Sequence, residues 1–230
     1  MTDPRTLIAQ RVARELLNGQ LVNLGIGLPT LIADHLPPGV RVLLQSENGL
    51  IGVGPTPSPG ASDRDLFNAG GRPVTLLPGA ACFDSALSFG LIRGGHVDVT
   101  VLGALEVDEE GSLANWCIPG RFTPGIGGAM DLVAGARRVI VAMEHTTRDG
   151  APRFLSRCTL PLTARSEVDL LVTELAVFRF DRGGPVLVEL QPGATLADVR
   201  RRTAARFAIS GALAPRPEDL PTAVAPADAA

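Results

Sequence analysis

Glu47 stands in the segment Gln45-Ser46-Glu47-Asn48-Gly49, where a short apolar run gives way to polar residues and a glycine. A carboxylate at the carboxyl end of a strand in an open α/β sheet is placed where ligands collect, and there it can act as a nucleophile. The same pattern describes a solvated glutamate in a polar turn, and the local sequence alone favours that plainer reading. Three glycine clusters, Gly25-Ile26-Gly27, Gly52-Val53-Gly54 and Gly125-Ile126-Gly127-Gly128, offer bare backbone N–H groups that a thioester carbonyl or an oxyanion could approach. None completes a dinucleotide-binding pattern, because the last required position is Thr30, Pro57 or Met130. Tight structural turns are the alternative for all three, and the stronger one for Gly52 and Gly54.

Other candidate chemistry is weaker. His35, His96 and His145 lie far apart and form no metal-binding pair, so they read as structural or surface residues. Glu144-His145 could form a dyad, yet its polar turn context favours the same structural reading. Ser85 and Ser88 occupy a helical stretch without the glycine-flanked elbow of a serine hydrolase. Cys82, Cys117 and Cys158 are odd in number and widely spaced, which indicates free, buried thiols rather than a disulfide framework or a zinc site.

Missing residue types exclude whole reaction classes. The 230 residues include no Lys and no Tyr, which rules out Schiff-base catalysis and a phosphate-binding P-loop lysine. Arg is the only permanent side-chain cation, and its planar fork suits carboxylates and phosphates. A net charge of -3, with both signs dispersed, gives no stripe for nucleic acid. No run has the length and apolarity of a membrane span, and the N-terminus lacks a signal-type apolar segment, so a soluble cytoplasmic protein is expected.

These residues need elements to position them. Apolar spacing from Pro4 to Leu17 predicts a first helix, stopped by Asn18-Gly19. Leu21 to Leu24 reads as a strand, and Pro29 to His35 as a second helix. Val40 to Leu44 reads as a buried strand with Glu47 beyond its carboxyl end. The Gly- and Pro-rich stretch Gly52 to Gly71 reads as a surface excursion. Further strands are expected at Val74 to Leu77, Val97 to Leu102, Val139 to Met143, Leu170 to Thr173 and Val186 to Leu190. Helices are expected at Asp84 to Ile92 and Thr195 to Phe207. The fold class is therefore α/β, a single open, mostly parallel or mixed sheet wrapped by helices. One domain spans 1–212, and the Ala/Pro-rich stretch 213–230 is expected to be disordered.

From about Ile8 to Phe207 the sequence resembles the B, or beta, subunits of the 3-oxoacid coenzyme A transferases. The resemblance rests on ordered segments: Val22 to Thr30, Leu44 to Leu50, Phe83 to Ala86, Ile92 to His96, Leu113 to Trp116, Gly127 to Leu132 and Thr159 to Thr163. It implies the family's fold, shared with sugar-phosphate isomerases, and Glu47 as the nucleophile that forms an acyl anhydride and then a glutamyl-CoA thioester. It also implies that Asn23 lines the site and that Gly127 and Gly128 direct N–H groups at the adduct. Substrate or coenzyme A contacts extend by the same resemblance to Gly25, Gly27, Ser46, Asn48 and Arg72.

By that resemblance no metal or permanently bound cofactor is required, and the coenzyme A thioester enters as substrate with a carboxylic acid as its acceptor. The partner would be a homologous A, or alpha, subunit, assembled as a heterotetramer. One departure concerns Asn68-Ala69-Gly70, which the family commonly follows with Lys; here Gly71 and Arg72 follow. The segment Pro55-Thr56-Pro57 departs from the family's usual Pro-Phe-Pro. The alternatives are a repurposed acyl-thioester hydrolase or decarboxylase, and a non-catalytic acyl-CoA-binding or regulatory module of the same fold.

Overall fold

The computed structural model describes residues 3–213 except 122 and 124, so residues 214–230 of the expected disordered stretch lie outside the described part. The first helix, α1 (Pro4–Ala13), starts with proline at its first position and Asp3 accepting the Thr6 N–H, and it buries Ile8, Ala9, Val12 and Ala13. It ends four residues before the expected Leu17. Beyond Ala13 the chain tightens into bonds three residues back, from Glu15 to Val12 and from Leu16 to Ala13, and Gly19 then turns with positive φ.

Strands β1 (Leu21–Leu24), β2 (Leu43–Ser46), β3 (Leu50–Val53), β4 (Leu76–Cys82) and β5 (Val99–Leu102) precede β6 (Glu106–Asp108), β7 (Leu113–Ala114) and β8 (Val139–Ala142). After these come β9 (Phe154–Leu155), β10 (Leu170–Val172), β11 (Ala176–Asp181), β12 (Gly184–Leu190) and β13 (Ala208–Ile209). Ten of them form one mixed sheet in the order β13-β12-β11-β10-β8-β5-β1-β2-β3-β4, whose centre from β10 to β2 is parallel. A small second sheet, β7-β6-β9, stands beside it.

Alternation sorts the central strands between two cores. Val22, Val99, Val101, Ile140, Ala142, Leu170 and Val172 pack with α1 and with the 3-10 helix Leu28–His35 on one face. Leu102, Val139, Val141 and Leu171 pack with α2 (Ser85–Arg93) and α3 (Ala129–Gly135) on the other. Asn23 and Thr100 sit where apolar residues would continue this second face, and both are buried. Among the described residues no helix is long and apolar enough to cross a membrane.

Several expected boundaries move. Sheet pairing begins at Leu43 rather than Val40, because Val40 closes a turn onto Pro37 and the Arg41 carbonyl is taken by Gly19. The strand therefore carries Gln45 and Ser46, and Glu47 is the first residue past it. The expected excursion from Gly52 starts later, since Gly52 belongs to β3, where its positive φ and a register shift let it pass close to Ala80. Helix α4 (Leu196–Arg202) has the predicted Thr195–Asp198 capping box but stops before Phe207. Thr203 turns to extended backbone, its hydroxyl bonded to the His145 ring. The strands β3, β6, β7, β9, β11 and β13 and the helix α3 lie outside the elements expected from the sequence. Cys82 is exposed on the edge strand β4, contrary to the buried thiol expected there.

Candidate functional site

Asn23 on β1 and Gln45 on β2 are direct partners in the parallel ladder. Their side chains project to the α2 face, where 1% and 6% of each residue remain exposed. The Asn23 amide donates to Gln45 Oε1 at 2.7 Å and to Glu47 Oε2 at 3.2 Å. Gln45 in turn donates to Ser88 Oγ on α2 at 3.1 Å. A half-buried carboxylate thus sits just beyond the sheet with one oxygen on a fixed amide donor.

The turn after Glu47 is closed by Gly49, whose φ is 119° and whose N–H reaches the Ser46 carbonyl at 3.0 Å. A β-carbon there would lie 2.0 Å from the Phe83 carbonyl oxygen, so only glycine lets the turn pack against that segment. Gly128, at the N-cap of α3, approaches Glu47 from the other side: a β-carbon on it would stand 3.2 Å from Glu47 Cγ and 3.2 Å from Phe89 Cζ. Gly127 has a φ of 57° and open space around it. Gly127 and Gly128 line two of the same recesses as Glu47, and among the described residues the only hydrogen bond to the carboxylate comes from Asn23.

The remaining expected site residues divide. The Gly25 N–H is already engaged by the Val101 carbonyl at 2.8 Å, while Gly27 supplies the carbonyl that accepts the Thr30 hydroxyl. Ser46 Oγ accepts the Ala69 N–H and Asn48 donates to the Phe67 carbonyl, so both hold the 67–72 loop to the turn. Asn68 closes that loop, its side chain accepting from Gly70 and Arg72. The Arg72 side chain is exposed and has no hydrogen bond or ion pair among the described residues.

Three recesses meet at Glu47. One of about 220 Å³ lies between the 3-10 helix and the 68–74 loop and includes Asp34 and Arg72. A second, about 450 Å³, is bounded by Leu102, Ala104, Trp116, Ile126 and Leu132. A third, about 400 Å³, is open beside Phe67 and Phe89. Exposed apolar side chains rim the opening: Ile26 at 69%, Phe67 at 48% and Ile126 at 40%.

None of the three histidines lines these recesses. His145 is fully buried, its two ring nitrogens on the Thr173 and Thr203 hydroxyls, and burial with the nearby Arg202 lowers its pKa to about 4. The adjoining Glu174 is pushed up by burial, and it accepts the His145 backbone N–H at 2.8 Å. Cys158 is likewise pushed up by burial and by Asp108 and Glu106, which keeps the thiol protonated. Among the described residues no cluster of three or more His, Cys, Asp or Glu could hold a metal ion.

The support that Gln45 and Ser88 give to Asn23 is not expected from the sequence. The available signal was a polar residue two positions before Glu47, on the same face of a strand that is otherwise apolar.

Comparison with known proteins converges on one family. The chain is 56% identical to the beta subunit of the acetate CoA-transferase of Escherichia coli (strain K12), over 95% of this chain and 100% of that protein. It is 50% identical to the B subunit of the succinyl-CoA:3-ketoacid coenzyme A transferase of Helicobacter pylori (strain ATCC 700392 / 26695), over 89% and 99%. A crystal structure of an acyl-CoA transferase apoenzyme from Escherichia coli O157:H7 superposes with a TM-score of 0.71 at 24% identity, covering 91% of this chain. This chain spans 42% of that longer one, and the likeness concerns the fold. Residues 5–202 match the family described as coenzyme A transferase, to which this chain belongs.

Proposed function

We propose that the chain is the glutamate-bearing B subunit of a transferase that moves coenzyme A between an acyl-CoA and a carboxylic acid, of the succinyl-CoA:3-oxoacid type. One observation carries this reading: the Glu47 carboxylate stands at the junction of three recesses with Asn23 donating to one oxygen and a bare Gly128 against its stem.

The free Glu47 oxygen attacks the thioester carbonyl and expels coenzyme A thiolate, leaving an acyl-glutamyl anhydride. The thiolate then attacks the glutamyl carbonyl, releases the donor acid as its carboxylate and forms a glutamyl-CoA thioester. An acceptor carboxylate attacks that thioester to form a new anhydride, and the thiolate returns to the acyl carbon, freeing Glu47 and the new acyl-CoA. Each step exchanges one anion for another, so no proton has to move. That fits recess linings without a histidine. Throughout, Oε2 can remain the carbonyl or oxyanion oxygen that receives the Asn23 N–H, a geometry in which one donor is worth ~10²- to 10³-fold in turnover.

The partner in this proposal is a homologous A subunit seated over the rim formed by Ile26, Phe67 and Ile126, in a heterotetramer. Apolar side chains clustered around an opening are better accommodated under a partner than in water. Support comes from the relatives, which are named as subunits, and from the longer single-chain acyl-CoA transferase, of which this chain matches less than half. Incubating the chain and its candidate A subunit with succinyl-CoA or acetyl-CoA, then mapping peptides by mass spectrometry, tests the mechanism. A coenzyme A adduct on the Glu47 peptide is expected. No adduct, with turnover unimpaired in Glu47→Ala, would overturn it.

A further inference from the structure

A row of polar side chains crosses the centre of the sheet on the α2 face: Gln45 on β2, Asn23 on β1 and Thr100 on β5 are successive partners in the parallel ladders. All three are buried, as is Ser88 above them on α2. The row is unevenly satisfied. On the Gln45 side, hydrogen bonds run without a gap from Ser88 Oγ to Gln45 Nε2, and from Gln45 Oε1 to the Asn23 amide. On the Thr100 side, Asn23 Oδ1 and Thr100 Oγ1 have no hydrogen-bond partner among the described residues. Nothing on that side therefore determines which way the Asn23 amide faces.

Its orientation matters because the same nitrogen reaches Glu47 Oε2. Reversing the amide would set Asn23 Oδ1 against both a carboxylate oxygen of Glu47 and Gln45 Oε1. Turning Gln45 as well would relieve only the second of these repulsions. Gln45 Oε1 at 2.7 Å is the shortest of three acceptors on that nitrogen, ahead of Glu47 Oε2 at 3.2 Å and the Gln45 main-chain carbonyl at 3.4 Å, and it is supplied by a side chain that α2 pins through Ser88. Buried amides whose direction decides a catalytic contact need such support from behind.

We propose that Gln45, anchored by Ser88, is a positioning residue: it holds the Asn23 amide with its N–H toward Glu47, so that the donor is in place before charge develops on the glutamyl oxygen. This rests on the reading of Glu47 as the reacting carboxylate. Among the described residues the Gln45 side chain bonds Asn23 and Ser88 and not Glu47, so its effect on the carboxylate passes through Asn23.

The test uses the full chain assembled with its candidate A subunit, and follows formation of the Glu47–CoA adduct from succinyl-CoA and acetyl-CoA by rapid quenching and mass spectrometry, beside steady-state kcat and KM. Gln45→Met keeps the length of the side chain and removes the acceptor. A misplaced catalytic group costs up to ~10²-fold, so adduct formation and kcat are expected to fall ~10- to 10²-fold, with KM for the acyl-CoA within about twofold. Ser88→Ala should move kcat in the same direction by a few fold. The decisive readout is coupling: in an Asn23→Ala background, Gln45→Met should remove nothing further, because the group it orients is gone. A purely structural role would instead multiply the two losses. Multiplied losses, or wild-type adduct rates in both Gln45→Met and Ser88→Ala, would overturn the proposal. Should Gln45→Met fail to fold, Ser88→Ala alone and combined with Asn23→Ala decides by the same criterion. An unmodified Glu47 in the wild type would overturn the underlying assignment, which is distinguishable from modification at an unchanged rate in the variants.

Discussion

A methyl group on Gly128 would stand 3.2 Å from Glu47 Cγ and as close to the Phe89 ring, whereas one on Gly127 would meet nothing within 4 Å. Neighbouring glycines in one loop therefore serve different ends. Gly128 leaves room for the carboxylate, and Gly127 supplies a left-handed turn, with φ at 57°. Gly128→Ala is expected to lower kcat by ~10²-fold through displacement of Glu47, with little change in melting temperature. Gly127→Ala should cost about 1 kcal/mol of stability and leave most turnover intact. Measuring both variants side by side for melting temperature and kcat checks the division, and equal turnover losses would contradict it.

Gly49 supports the same carboxylate from the backbone. Its substitution by alanine places a β-carbon 2.0 Å from the Phe83 carbonyl in a backbone with φ at 119°. Both the turn and the segment leading into α2 would have to shift. Gly49→Ala is expected to destabilise the chain by about 3 kcal/mol or more, the range reached when backbone strain and a steric clash combine. Urea unfolding of the variant gives the comparison; a loss under about 1 kcal/mol would show that the turn relaxes freely.

The fold class is legible in the sequence, and what is not legible has a physical cause. Glu47 is singled out in the sequence by the ordered segments that surround it, although its own polar turn looks ordinary. The central parallel strands and the helices α1, α2 and α4 follow from apolar spacing and capping around Ile8, Val22, Ile92, Val99, Val139 and Val199. The link from Asn23 to Gln45 joins residues 22 apart that become neighbours only through the parallel pairing of β1 with β2. Nothing local encodes that register. Ser46 and Asn48 illustrate the opposite difficulty: the family resemblance implies ligand contacts for them, while their side-chain hydrogen bonds go to Ala69 and Phe67 of this chain's own loop.

Arg72 and Gly71 form a second test of the site. The Arg72 guanidinium lies on the recess shared with Glu47 and has no ionic partner among the described residues, so it is available to a phosphate or carboxylate of a substrate. Arg72→Ala should raise KM for one substrate by ~10- to 10²-fold, the worth of a charge-assisted hydrogen bond, and change kcat little. Gly71→Lys would restore the cation common in the family but requires a left-handed backbone at φ 72°, which costs a non-glycine residue about 1–2 kcal/mol. The expected outcome is a less stable protein in which the added lysine does not compensate for Arg72→Ala. Kinetics with both acyl-CoA and free acid as the varied substrate identify which one Arg72 meets. Unchanged KM for both would remove Arg72 from the site.

The His145 cluster gives a prediction about pH and stability. Burial and Arg202 hold the folded-state pKa near 4, against 6.5 for an unperturbed histidine, so at intermediate pH the unfolded chain binds a proton that the folded chain refuses. The contribution of the neutral ring is fully present above pH 6.5 and is lost progressively as pH falls toward 4, where the folded form also takes up the proton. The span corresponds to about 3 kcal/mol. Glu174 opposes this trend, because a carboxyl pushed up by burial is relieved on acidification. Comparison with a His145 variant therefore separates the two. His145→Gln keeps a side chain able to bond Thr173 or Thr203 but removes the titration. It should be less stable than the wild type at pH 7 and lose less stability than the wild type between pH 6.5 and pH 4.5. Urea midpoints for both proteins at three pH values across that window supply the measurement, and parallel declines would show that the acid sensitivity of the fold lies elsewhere.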